Sequence, residues 1–401
     1  MDQPKLWTKD FVIITTANFF LYIAFYILIS TITLFAAETL HAAPSTAGLA
    51  SSIFMIGILI ARLLAGRYIN QIGWKRVLVV GFTLFFLTTC LYLPVHSLGW
   101  LLLVRLINGF AMGIATTATG AIAAGIIPNE RRGEGTGYFI LSLTIASAVG
   151  PYLGMTVSAN AAFMWNFYIC IALLALNFIT LFFVRIPSVA FSAREAPAGQ
   201  TRQKFSPHRF IEVKALPIGA VTFVIAVAYM SILSFYSSFT KELDLVAVGS
   251  TYFIVYALVV LLSRPLIGRL FDSKGENSVM YPAIVVMVLS LLTLYFTQSG
   301  FGLLLSGALL GLGYGTTQSS VQAISIKVSP RHRIALATST GFICQDIGMG
   351  LGPFLLGTFI PLIGYRNLYL AMSGVALCAL LLYYLLHGRR AAQPRQENTA
   401  T

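Results

Sequence analysis

Asp346 lies within G-F-I-C-Q-D-I-G-M-G-L-G-P (residues 341–353), a stretch otherwise fit for hydrocarbon, and it is the only acid inside any long apolar segment of the chain. A charged acid at the centre of a membrane helix costs about 2.5–3.5 kcal/mol on insertion scales, so such a group is expected to face an aqueous cavity or a partner. Burial disfavours the ionised form of any carboxyl. An acid that is protonated when occluded and ionised when opened to the less acidic side is what proton coupling requires. Exchange follows where substrate and proton compete for the same state. The plainer alternative is a structural carboxyl bonded to a neighbour such as Gln318 or Gln322. Arg105 is the second deep charge, ~9 Å into its segment at the helical rise of 1.5 Å per residue. It is a candidate for lining the path or for tuning proton affinity. Arg62 and Arg264 lie near segment ends, where a long side chain reaches the interface.

Polar and aromatic residues at helical spacing supply a candidate substrate cavity. Asn18, Tyr22 and Tyr26 are four apart on one face. Tyr229, Tyr236, Gln318, Gln322 and Gln345 complete the set. Aromatics with a few amides suit an amphiphilic small molecule. A tyrosine in a membrane helix also serves as an interfacial anchor, although Tyr22 and Tyr26 lie too deep for that role. Motifs for other chemistry are missing. The five histidines are scattered, and HExxH, GxSxG and GxxxxGK[ST] do not occur. No catalytic residue and no cofactor is therefore expected. The four cysteines each sit in an apolar run without a CxxC, so no metal site is expected. G-L-G-Y-G (311–315) has no preceding strand and is not a dinucleotide loop.

The elements that must position these residues follow from composition. The 401 residues are 57% hydrophobic and 10% charged, against roughly 25% charged in soluble domains. The chain is read as an all-α integral membrane protein. About 20 apolar residues cross a bilayer, and twelve such segments fall near 11–37, 45–69, 76–95, 99–126, 136–159, 162–186, 215–240, 248–271, 278–297, 301–326, 332–360 and 364–386. The first is too long for a signal-peptide core and is read as retained. The polar stretch between the sixth and seventh, with its Pro, Gly and charges, is read as a linker. The expected organisation is a bundle over 1–187, a cytoplasmic linker over 188–213 and a second bundle with a short tail over 214–401. Of the 26 Lys and Arg, Lys241 and Arg366 alone fall in the opposite connections, and Arg62, Arg105 and Arg264 lie within segments. Both termini are thus expected in the cytoplasm. The net charge of +13 points to anionic lipids as partners, not nucleic acid.

The two halves repeat at a constant offset of 202 residues. Arg62, Gly66 and Arg67 match Arg264, Gly268 and Arg269, and Gly109 and Gly113 match Gly311 and Gly315. Pro128 matches Pro330, and Gly150-Pro151 matches Gly352-Pro353. Parallel repeats of this kind are a transporter architecture. Gly109/Gly113 and Gly311/Gly315 have the spacing that lets helix backbones approach closely. Gly-Pro at both sites removes a backbone donor and permits a bend.

G-R-Y-I-N-Q-I-G-W-K-R (66–76) resembles the signature loop of the major facilitator superfamily. L-L-V-R-L-I-N-G-F-A-M-G (102–113) resembles that family's second motif, with Arg105 in place. Gly137, Ala146 and G-P-Y-L-G (150–154) resemble the motif of its antiporters, with Gly154 present and Met155 where a final glycine is usual. The likeness is greatest to the twelve-span drug:proton antiporter branch. It implies two pseudo-symmetric six-helix bundles and a monomer in a bacterial inner membrane, exporting a small amphiphilic compound or drug by proton antiport. A proton-linked carrier of a defined metabolite, such as a sugar or a metallophore, is the alternative. Gating is implied for Gly66, Arg67, Asn70, Gly73, Lys75 and Arg76, and for Gly268, Arg269 and Asp272 in the second half. The family usually has an acid at the place of Asn70. An amide brings no charge to a helix end or an arginine, so the first-half latch is expected to be weaker, with Asp272 carrying more of it. Helix bending is implied for Gly150, Pro151, Gly154, Gly352 and Pro353.

Overall fold

A computed structural model describes residues 5–128, 131–181, 212–330 and 334–391, apart from a few side chains within these ranges. Nearly all of these residues are helical, and no strand occurs among them. In the first half of the chain the helices are α1 (Lys9–Thr39), α2 (Pro44–Ile72), α3 (Trp74–Cys90), α4 (Leu98–Ile126), α5 (Arg132–Asn160) and α6 (Met164–Leu181). The second half holds α7 (Leu216–Glu242), a single turn α8 (Val246–Gly249), α9 (Tyr252–Lys274), α10 (Asn277–Phe296), α11 (Gly300–Leu310), α12 (Thr316–Lys327) and α13 (Ile334–Tyr383). A π-helical turn, Gly311–Gly315, joins α11 to α12. Gly364 (φ 76°, ψ 168°) breaks α13 in a conformation that only glycine adopts readily. Among the described residues, each of the twelve apolar segments read from the sequence overlaps one or more of these helices. Eight helices among the described residues are individually long and apolar enough to cross a membrane. The chain is an all-α, multi-pass integral membrane protein.

The chain forms two compact units. The first comprises residues 1–41 and 53–209, and the second comprises 42–52 and 210–401. The assignment of 42–52, the first turns of α2, to the second unit is a departure from the simple division at the linker. Its cause is local. Gly48 lies against the Pro353 carbonyl and Gly357 against the Pro44 carbonyl, with no room for a Cβ at either. Ser52 Oγ accepts the N–H of Phe354 at 2.9 Å, just past the proline in α13. The linker read at 188–213 lies almost wholly outside the described residues.

Within each unit the helices meet through glycine, and the contacts repeat. In the first, Gly109 of α4 lies on the backbone of Phe54 in α2, and Gly113 lies on Ile58 and Ala61. In the second, Gly311 faces the Tyr256 carbonyl and Gly315 faces Val260, both in α9. Phe54 and Tyr256, like Ile58 and Val260, are 202 residues apart, so the sequence repeat is also a repeat of contacts. The helix starts repeat too. Ser97 Oγ caps α4 through the N–H of Trp100 (3.3 Å) and Ser299 Oγ caps α11 through that of Gly302 (3.4 Å), each satisfying an otherwise orphan donor. The Gly-Pro sites pack as closely. Gly150 meets the Tyr26 Cβ and Gly154 the Ile27 carbonyl at 3.0 Å, while Gly352 meets the Met230 Cβ at 3.2 Å. Pro151 and Pro353 both lie inside their helices.

Gly109→Ala is expected to force α2 from α4 and to cost about 1–3 kcal/mol, as overpacking does. Gly120→Ala on the same helix, where nothing lies within 4 Å of the added carbon, is expected to be neutral or to stabilise by up to about 1 kcal/mol through helix propensity. Thermal unfolding in detergent measures both; equal shifts would remove close approach as the cause.

Candidate functional site

In the second unit, α7, the π turn, α12 and α13 converge on a small recess with room for about one water molecule. Thr222, Ile225 and Ala226 of α7 form one wall, Tyr314, Thr317, Gln318 and Val321 another, and Gln345 of α13 closes it. The Tyr314 ring is stacked flat on Tyr229, with centroids 3.8 Å apart and planes 3° from parallel. Gln345 Nε2 reaches the Tyr314 hydroxyl at 3.5 Å and Met349 Sδ at 3.7 Å. Thr317 spends its hydroxyl on its own helix, bonding the Gly313 carbonyl at 2.7 Å. The π turn widens the helix where Tyr314 leaves it, a distortion frequent at functional sites. The described wall therefore offers aromatic and aliphatic surface with two primary amides and no charge.

Of the predicted second-half residues, Gln318 and Gln345 line the recess, and Tyr229 backs it through the stack. Gln322, one turn beyond Gln318, is half-buried and off the recess. Tyr236 is away from it: the ring is fully buried against Tyr252 (4.4 Å) and Phe253 (5.7 Å). Asp346 adjoins Gln345 in sequence but is not on the recess wall; it is 9% exposed. Tyr314, Thr222 and Thr317 were missed at the sequence level. Tyr314 stands inside the glycine run 311–315, and that neighbourhood is its only sequence signal.

The first unit buries its deep charge. Arg105 has no exposed surface; its guanidinium lies 4.1 Å from the centroid of the Phe54 ring, and Nη1 donates to the Tyr92 hydroxyl at 3.4 Å. The Tyr92 hydroxyl donates to Asn108 Oδ1 at 3.1 Å, and Asn108 Nδ2 bonds Thr88 Oγ1 at 2.9 Å and Thr89 Oγ1 at 3.2 Å. Tyr92 is stacked on Phe167. A cation–π contact and a chain of neutral partners thus hold the guanidinium away from hydrocarbon. Asn18 is equally enclosed, accepting from Thr119 Oγ1 at 3.0 Å and donating to Ser142 Oγ at 3.4 Å, so that it ties α1 to α4 and α5. Tyr22 and Tyr26 are half-buried with rings 6.3 Å apart. The structure does not bring Asn18 onto an open surface with them.

Of the first-half gating residues, Gly73 makes the turn between α2 and α3 at φ 95°, and Lys75 and Arg76 are exposed at the start of α3. The side chains of Arg67 and Asn70, and the surroundings of Gly66, lie outside the described residues. In the second half Gly268, Arg269 and Asp272 are exposed. A buried acid adjoins this motif, Glu276, which the sequence reading overlooked because it follows the motif by one residue. It pairs with Lys327 at the end of α12, and its Oε1 lies 3.0 Å from His387 Nε2 at the end of the α13 run. Burial alone would raise its pKa; hydrogen bonds and charge from Lys327 and His387 outweigh that and hold it below the usual value. Beside it, Asn277 Nδ2 bonds the Gly388 carbonyl and Tyr383 donates to Asn277 Oδ1 at 2.8 Å. Three helix ends are fastened here. Among the described residues no three His, Cys, Asp or Glu side chains gather as metal ligands.

A helical membrane protein of repeated halves, with an uncharged aromatic and amide recess between packed helices, belongs to the class of solute carriers. The Major Facilitator Superfamily profile matches residues 14–353 and 250–401, and the chain belongs to that family. It is 26% identical over 338 residues to a multi-drug resistance efflux pump PmrA homolog of Lactococcus lactis, covering 82% of this chain and 81% of that one. It is 24% identical to the multidrug resistance protein MdtG of Klebsiella pneumoniae, covering 98% and 97%. Among solved structures, a mutant of the nucleoside transporter NupG superposes with a TM-score of 0.80 at 16% identity, covering 94% of this chain and 99% of that one. A POT family transporter in complex with 5-aminolevulinic acid gives 0.76 at 13% identity, covering 96% of each. These likenesses carry the fold.

Two measurements test the polar clusters. Tyr92→Phe removes one hydroxyl that serves both Arg105 and Asn108 and is expected to cost about 1–3 kcal/mol in thermal unfolding. Glu276, held low, contributes stability in full above the unfolded glutamate value of ~4.3 and loses it as pH falls through the lower folded value. The stability of the native chain is therefore expected to drop below about pH 4. Glu276→Gln is expected to be less stable at neutral pH by on the order of 2 kcal/mol and flatter on the acid side; an unchanged acid limb would remove the cluster as its source.

Proposed function

We propose that the chain is a secondary active exporter, moving a small amphiphilic compound out of the cell in exchange for inward-flowing protons. The observation that carries this reading is the recess in the second unit: a flat tyrosine stack beside the amides of Gln318 and Gln345, without a charged group on its described wall. Such a lining, closed here to about one water molecule, suits an uncharged body with a few hydrogen-bonding atoms, and not a multiply charged solute, once the helices part. The names of the Lactococcus and Klebsiella relatives agree with an exporter of drug-like compounds. Asp346, the one acid within the apolar segments, is the proposed proton carrier, and Arg105 a buried cation that tunes the site. The basic residues argue for both termini in the cytoplasm, and the bacterial relatives support a bacterial inner membrane. The carrier works as a monomer by alternating exposure of its site.

Asp346→Asn is expected to abolish efflux driven by a pH gradient in proteoliposomes while leaving gradient-free counterflow in place. Full gradient-driven transport by that variant would sink the coupling role. Gln345→Ala is expected to weaken substrate binding about tenfold, the loss of one hydrogen bond worth about 1.4 kcal/mol. Equal binding by the variant would move the site elsewhere.

A further inference from the structure

A second cavity lies in the first unit, far from Arg105 in character. Its floor is Phe110 and Ile114 of α4, and its sides are Tyr68 and Ile72 of α2 and Val77 and Val80 of α3, enclosing about 190 Å³. The space follows from the glycine contacts. Gly113 brings α2 onto α4, and Gly81 brings α3 onto α4 at Ala115. Both helices are thereby held to the same partner, and the trough between them stays open on its outer side. Tyr68, Ile72 and Val80 are 40%, 49% and 55% exposed. Apolar side chains exposed in this way on a membrane helix are suited to hydrocarbon contact. Among the lining residues the Tyr68 hydroxyl is the one polar side-chain group, so nothing here resembles the amide-lined recess of the second unit.

The mouth of the trough is basic. Lys75 and Arg76 are exposed at the first turn of α3, directly before Val77. Residues 62–80 contain Arg62, Arg67, Lys75 and Arg76 and no acid. Val80 stands about 6 Å above Arg76 at the helical rise of 1.5 Å per residue, so cationic rim and apolar shaft are aligned along one helix. A ligand matching both has an anionic head at the membrane surface and a hydrocarbon tail running inward. We infer that this trough is a binding site for an anionic phospholipid, its phosphate on Lys75 and Arg76 and one acyl chain lying over Phe110 and Ile114. Basic sites beside membrane helices hold anionic head groups in this way. Burial of the chain supplies the affinity, and the two cations supply the preference.

Native mass spectrometry of the full chain, titrated with phosphatidylglycerol or phosphatidylcholine of identical chains, tests the site without reference to transport. One phosphatidylglycerol is expected to be retained in preference to phosphatidylcholine by roughly tenfold or more, given two cations near the head group. Val80→Trp fills the trough from an exposed position and is expected to abolish tight retention of both lipids; Ile72→Trp replaces it if the first variant does not fold. Lys75→Gln with Arg76→Gln is expected to erase the preference while leaving chain-dependent retention. Unchanged retention in the filled variant, or an unchanged preference in the double variant, would overturn the assignment.

Discussion

Backbone-to-backbone contact through glycine is the constraint on which the rest of the molecule depends. Lipid tails are as apolar as leucine, so helices in a bilayer gain little from hiding hydrophobic surface from one another and must instead pack closely. Gly109 and Gly113 bring α4 onto α2, and Gly311 and Gly315 bring the turn before α12 onto α9. These contacts fix the distances at which everything else operates. Because Phe54 is pulled against Gly109, its ring is available to Arg105. Because α3 and α2 are both drawn to α4, an apolar trough is left between them.

The repeated frame carries different chemistry in its two halves. Thr88 and Ser290 occupy equivalent places, each in a polar cluster joining two helices: Thr88 to Asn108, Ser290 to Ser306. At the position equivalent to Arg105 the second half has Gly307, and the Tyr252 ring fills the adjoining space, 3.1 Å from where a Cβ would stand. Where the first half has a guanidinium over Phe54, the second has a glycine beside Tyr252, one turn before Tyr256, the equivalent of Phe54. Asp346 has Thr144 at its equivalent position, with a hydroxyl bonded to its own helix at Ile140.

Much of the fold was legible in the sequence because a membrane span writes itself as an unbroken apolar run, and because Gly and Pro punctuate it. The offset that matched Gly109 with Gly311 survived as a set of physical contacts. The site was less legible. Asn18 looked like a cavity residue because it shares a helical face with Tyr22 and Tyr26, yet periodicity does not say whether that face meets another helix. Thr119 and Ser142 decide it. Tyr236 shows the same limit, since a tyrosine deep in a helix reads alike whether it fronts a cavity or packs on Tyr252. Glu276 escaped notice because its partners, Lys327 and His387, are distant in sequence and meet only where helix ends converge. Residues 42–52 joined the second unit through Gly48, Ser52 and Gly357, small residues whose meaning depends wholly on what faces them.

The inequality at Arg105 and Gly307 has a bearing on why the halves are fused. Two copies of the first half assembling as a dimer would bring a pair of deep guanidinium groups and no deep carboxyl into the bilayer. Two copies of the second would bring a pair of carboxyls and no such base. A single polypeptide guarantees one of each, a stoichiometry that self-association of half-length chains has no means to enforce.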